Sequence, residues 1–388
     1  MKNRSKVLLF VGLLVISIAV AGCSLFPQEE TKQQTNDSPV TEAKQKQEKI
    51  YVGLEEDGAV AVLDTQSRKL IKKISLDSEE GQEFMAHNVQ VAPDKKSVWV
   101  TANAMEKSMH SLRLIPSAYA SEMGEEKKGN SEKDNSEVIV IDPLTDSILN
   151  RVSLGTGLEL AHVTLTPDSK TAIVTSQKKD TVFIIDATTK EITKKITVDA
   201  SSEPHGVSVA PDGSKAYVAL LKGKGILEIN LSNFESMPIL MDGGAAQAIV
   251  TPDGKKVVAT LYDTKKVAIY NLADKKIQEI SLPDGAKGPL QLYPTSDSSA
   301  VYVTDQGYYF KQPKGDKVYK VDLQNAKVVA EITVGQAPHG VVISKDGAYV
   351  FVTNYSSNDV SIIDANSNTE ITKIRVGKGP NGISLWSE

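Results

Sequence analysis

From residue 49 onward, apolar residues alternate with small or polar ones in runs of five or six, each closed by turn-forming residues. HGVSVA (205–210), KAYVAL (215–220), GILEIN (225–230) and a last run ending near Leu240 make one such set of four. A period of two predicts β-strands, so each set predicts a four-stranded antiparallel unit. The first turn carries Pro93-Asp94, Pro167-Asp168, Pro211-Asp212-Gly213, Pro252-Asp253-Gly254 or Asp346-Gly347. Pro presets φ, Asp bonds nearby backbone and Gly tolerates positive φ, which predicts tight hairpins. The third run closes on Asp64, Asp142, Asp186, Asn230, Asn271, Asp322 and Asp364, marking seven copies. Successive anchors lie 41–51 residues apart, except the first pair, 78 apart, which brackets an insertion. These Asp and Asn side chains suit the next hairpin turn rather than chemistry.

One copy is cut. Residues 50–76 align without a gap on 350–376, with Asp64 on Asp364. The later copy is preceded by PHGVVISKDG (338–347), but the counterpart for the first copy, GPNGISLW (379–386), follows the seventh. A repeat divided this way closes a ring, because the last strand completes the first blade. The expected fold is all-β, a seven-bladed β-propeller closed by the C-terminal strand pairing into the N-terminal blade.

PHGVSVAPDGSKAYVAL and PHGVVISKDGAYVFVTNYSSNDVSIIDANSNTEITKIRVG resemble the YVTN-type (YncE-like) β-propeller repeat, named for its second strand. Tyr349-Val350-Phe351-Val352-Thr353-Asn354 carries that signature with one residue interposed. The resemblance spans residues 49–388, is strongest in the seventh copy and fades in the fifth and sixth. It implies seven blades and says little of function, since propellers host many activities.

Ahead of the repeats, Lys2, Arg4 and Lys6 precede an apolar run from Val7 to Val20 and then Ala21-Gly22-Cys23. That run is short for a membrane span and suits a secretory signal. Small residues before a Cys resemble the bacterial lipobox, which implies a signal peptide over 1–22 and lipid attachment, with palmitate, at Cys23. Residues 23–48 are polar and predict a flexible linker, about 25–30 Å long on average. The expected address is the outer side of the bacterial cytoplasmic membrane, with a Gram-negative outer membrane as the alternative. Cys23 is the single cysteine, so no disulfide contributes. Loss of the signal takes the formal charge from −5 to −8, and the basic residues are scattered, which argues against nucleic acid as partner.

The irregularities gather on one face. At the start of the innermost strand the copies carry His87, Ala161, His205, Ala246, Gly288, His339 and Asn381, with His162 one place later than its register. His110 falls in the second-blade insertion, residues 104–137, whose loop opens on the same face. The loop from strand two to strand three takes 38 steps there and 15 in the sixth blade, against 8 in the seventh. The sixth-blade loop carries Tyr308, Tyr309 and Phe310, of which alternation turns the middle ring opposite to its neighbours. His87, His162, His205, His339, Asn381, Tyr308, Tyr309 and Phe310 form the expected ligand-binding face. Long loops in compact domains tend to carry function.

Neutral imidazole binds zinc, copper or iron, which makes His87, His205 and His339 candidate metal ligands. Relatives of this architecture in respiratory reductases use channel-mouth histidines for copper or heme. Against this, those three sit on the second, fourth and seventh blades, and a wide channel separates ligands that need metal–nitrogen distances of about 2.0–2.1 Å. No nucleophile elbow, H-E-x-x-H, P-loop or dinucleotide fingerprint appears, and Arg is scarce within the repeats. The sequence reading is a lipid-anchored, non-enzymatic binding module for a cell-envelope protein, peptide or glycan at one channel mouth, with no cofactor beyond a transition metal. The alternative is a lactonase-like hydrolase or metal-dependent redox enzyme at that mouth.

Overall fold

The computed structural model describes residues 47–105 and 135–388. The expected signal, Cys23, nearly all of the expected linker, His110 and most of the insertion lie outside the described residues.

Twenty-eight strands, numbered in chain order, form seven antiparallel sheets of four. The first blade joins β28 (Pro380–Ser387) to β1 (Glu48–Leu54), β2 (Ala59–Asp64) and β3 (Lys69–Ser75), in that order. Pairing of Ile50 with Leu385 and Lys49 with Trp386 closes the ring. Trp386 locks the seam further by donating its indole N–H to Lys95 O in the second blade at 2.8 Å.

Both faces of each sheet are apolar because each packs against another blade. Seven hydrophobic clusters result, each spanning two neighbouring blades. Val342, Phe351 and Val360 of the seventh blade, for instance, pack on Ile50, Val52 and Leu63 of the first. The outer strands face water and read accordingly, as in KLIKKIS of β3, where only Ile74 is buried.

The anchor residues do the turn work their chemistry predicts. Asp64 Oδ1 accepts from Ser67 N, Asp186 from Thr188 and Thr189 N, Asn230 from Ser232 N and Asp364 from Asn366 and Ser367 N. These bonds hold the Asp186 and Asp364 carboxyls below their ordinary range.

Candidate functional site

The seven innermost strands are β28, β4 (Phe84–Val91), β8 (Leu160–Leu165), β12 (Pro204–Val209), β16 (Ala245–Val250), β20 (Pro289–Pro294) and β24 (Pro338–Ile343). In every one the register with its partner strand slips near its beginning. A bulge of this kind re-aims side chains and sharpens twist. The slip falls at Ala86/Asn88 in the second blade, Leu160/Val163 in the third and Pro204/Val207 in the fourth.

A threonine holds the bulge in five of the seven blades. Thr304 Oγ1 accepts the Gln291 N–H of its own blade at 3.0 Å and donates to His339 O of the next at 2.7 Å. Thr101, Thr175, Thr260 and Thr353 occupy the matching positions and donate to Ala161, His205, Leu290 and Asn381 O. In the seventh blade this is the Thr of Val352-Thr353-Asn354, and the set ties blade to blade around the axis. In the fourth blade Ala219 stands where the threonine would be. There the His205 ring supplies the missing donor, its Nδ1 lying 2.6 Å from Ala246 O. A carbonyl only accepts, so Nδ1 carries the proton and Nε2 is a bare lone pair.

A second chain of bonds fixes His162. The Ala248 N–H donates to Gln247 Oε1, Gln247 Nε2 donates to Gln291 Oε1, and Gln291 Nε2 then lies 3.1 Å from His162 Nε2. Because a backbone N–H can only donate, the whole relay is oriented and His162 Nε2 must accept. Gly206 is required beneath it, since a Cβ there would collide with Gln247 Oε1.

The result is a convergent cluster. His162 and His205 rings lie 4.9 Å apart, and His87 lies 6.1, 5.7 and 6.3 Å from His162, His205 and His339. One nitrogen from each of His87, His162 and His205 lies within 4.8 Å of the other two. His87 Nε2 and His339 Nδ1 are buried without a hydrogen-bond partner. Burial holds all four imidazoles neutral: it pushes His87 down to about 4 and His205 to about 3, and His162 and His339 well below the ordinary 6.5, with the neighbouring rings adding to the shift on His162, His205 and His339.

Several sequence expectations change here. The distance argument was made for His87, His205 and His339; His339 stays outside the close group, but the bulges bring His87, His162 and His205 of consecutive blades two, three and four together. His162, off-register in a gapless alignment, belongs to that triplet because the bulge in β8 spans Leu160 to Val163. In the sixth blade the bulge begins at Pro289, so Leu290 rather than Gly288 aligns with the histidine positions. Nor do the histidines form an open surface: His162 and His205 are 5% exposed and His339 is 2% exposed, while His87 alone is partly exposed.

Asn381 is fully buried and donates to Glu55 Oε2 at 2.5 Å and to the Tyr309 hydroxyl at 3.3 Å. Tyr308–Phe310 forms a 3-10 turn that straps across neighbouring blades. Tyr309 points to the axis, donating to Glu55 Oε2 at 2.5 Å and meeting the His339 ring edge-on at 5.4 Å. Phe310 stacks on Tyr262 at 4.0 Å, and Tyr308 lies 6.3 Å from Tyr355. On the other side of the cluster, a cavity of about 610 Å³ runs from His162 and His339 past Val163, Val207, Ile249 and Leu292 to turn residues Lys95, Ser296 and Lys345.

The family model described as the Cytochrome D1 heme domain matches residues 291–378, a stretch that includes His339. No curated protein sequence matches the chain. Among solved structures, the chain is similar to Kuenenia stuttgartiensis hydrazine synthase, at TM-score 0.61 and 18% identity over 81% of this chain and 94% of that one. It is also similar to a functionally unknown protein from Desulfotomaculum acetoxidans, at 0.65 and 11%, covering 87% and 98%. A third likeness is to dihydro-heme d1 dehydrogenase NirN, solved in complex with DHE, at 0.56 and 16%, covering 87% and 74%. At these identities the likenesses establish the propeller fold.

Proposed function

We propose that this protein is a lipid-anchored envelope propeller that binds a transition-metal ion on His87, His162 and His205, the ion displacing Gln291 Nε2 from the His162 lone pair, with His339 at hand as a fourth ligand. The observation that carries the reading is the triplet of imidazole nitrogens within 4.8 Å of one another, on rings kept neutral by burial. Neutral imidazole is the ligating form, and rings oriented through Nδ1–H to a carbonyl are how metal-binding histidines are commonly held. His205 has that arrangement in full. Burial of the histidines moves support from capture of a macromolecule toward capture of an ion. The lipid on Cys23 and the linker would place the ring outside the cytoplasmic membrane.

A second reading, heme binding, draws on the heme-domain match and on the cavity that ends at His162 and His339. A macrocycle does not fit among the four rings, whose centres are 4.9–6.3 Å apart. It would have to enter along the cavity and meet His339, whose Nδ1 has no hydrogen-bond partner to displace.

The test is metal analysis of purified protein after equilibration with copper, zinc and iron salts and removal of excess. Stoichiometric metal, lost in a His87→Ala, His162→Ala, His205→Ala triple variant that still folds, is the expected result. Wild-type protein that retains no metal overturns it. Titration with hemin separates the second reading: a shifted Soret band abolished by His339→Ala would favour heme.

A further inference from the structure

We infer that the histidine cluster is built for a soft monovalent cation, copper(I) among the metals cells handle, and discriminates against divalent ions. This rests on the metal reading above and adds the charge of the ion to it.

The polar partners found on the four rings are neutral: Gln291 Nε2 meets His162, and Ala246 O accepts from His205. Tyr309 presents a ring edge to His339. Glu55, the carboxylate tied into the same layer, spends Oε2 on the Tyr309 hydroxyl and Asn381 Nδ2. Among the described residues, the close group of metal-ligating side chains is three histidines, with no Asp or Glu in it. An ion held by the triplet therefore receives no formal negative charge from its ligands.

Charge decides the outcome because the cost of desolvating an ion rises with its square, so a divalent ion pays fourfold what a monovalent one pays. Divalent sites in proteins offset this with thiolates, carboxylates or a bound hydroxide. Hard cations are excluded separately, since they demand several oxygen ligands. Two or three imidazole nitrogens suit a soft d10 ion of low coordination number, and nitrogen donors suit copper.

The experiment uses metal-free protein under anaerobic conditions, in competition with chromophoric chelators. Copper(I), silver(I), zinc(II) and cobalt(II) are each titrated. Copper(I) and the redox-inert silver(I) are expected to bind on the order of 100-fold or more tighter than zinc(II). Zinc(II) or cobalt(II) binding as tightly overturns the selectivity while the metal reading stands. Failure of every ion to bind overturns both. Gln291→Glu places a carboxylate against His162 and is expected to raise zinc(II) affinity about tenfold and narrow the gap. An unchanged copper-to-zinc ratio in folded Gln291→Glu protein overturns the charge argument. Should that variant not fold, Gln247→Glu keeps the acceptor for Ala248 N–H and brings the charge one side chain away from His162, and should narrow the gap in the same direction by less; an unchanged ratio there overturns the charge argument.

Discussion

Replacing Thr304 by Val tests whether the threonine belt holds the channel together. The two side chains have nearly the same shape, so the change removes a hydroxyl and little else. Thr304 is fully buried, and its oxygen serves two backbone groups: the Gln291 N–H at 3.0 Å and His339 O at 2.7 Å. Each buried group left without a partner costs about 1–3 kcal/mol, which gives about 2–5 kcal/mol for the pair after allowing for their coupling. For a ring of this size about 3 kcal/mol lowers Tm by roughly 4–6 °C. Urea and thermal unfolding followed by circular dichroism read the change. Thr304→Ser, which restores the hydroxyl and loses a methyl, should recover most of it. A Thr304→Val protein within about 0.5 kcal/mol of wild type, or a Ser variant as damaged as the Val one, would refute the reasoning. The fourth blade supplies the reciprocal case. Ala219→Thr should offer a hydroxyl to Ala246 O and release His205 from its 2.6 Å bond, visible as a changed imidazole proton signal by NMR.

Further outcomes follow from the same geometry. The folded protein holds its four channel histidines below the ordinary 6.5, so the unfolded chain binds more protons and stability rises with pH. Their contribution is complete above about 6.5 and is lost as pH falls toward about 4 for His87 and about 3 for His205. Urea midpoints measured from pH 7 to pH 4 should fall, and His87→Gln with His205→Gln should flatten the slope. Tyr309→Phe removes the donor to Glu55 at 2.5 Å and should cost about 1–3 kcal/mol, read by the same unfolding assay; an unchanged midpoint would show the strap to be idle. Deleting residues 380–388 strips β28 from the first blade and bares the inner edge of β1, so the truncated chain should aggregate rather than unfold cooperatively. A monodisperse, cooperatively unfolding truncation would contradict ring closure.

The architecture was legible because it is written in turn chemistry and alternation. Asp64 through Asp364 mark one hairpin in each blade, and the split between residues 50–76 and 379–386 announces closure. The site was only half legible. Alternation predicts which residues share a face of a regular strand, and a bulge breaks that rule without leaving a mark in a gapless alignment. His162 therefore looked misplaced while Gly288 looked aligned. The threonine belt was visible all along near the end of five of the seven second strands, at Thr101, Thr175, Thr260, Thr304 and Thr353. Its meaning needed coordinates, because the partner carbonyl lies in the next blade, some thirty residues or more away. Ala219 was a signal that sequence could have flagged, as the position where a histidine takes over from a hydroxyl. The Tyr309–Glu55 bond joins residues 254 apart and no local pattern foretells it.

Where the ring is sewn shut, Glu388 N donates to Gln47 O at 3.0 Å. Topologically the folded chain is a loop with a cut, and the cut falls inside one blade rather than between two. A short peptide joining those residues, with a new opening at an exposed hairpin such as Asp212-Gly213, should give a circular permutant that keeps every one of the seven seams. Evolution could have begun this protein at many points around its circle; the histidines would still meet at the hub.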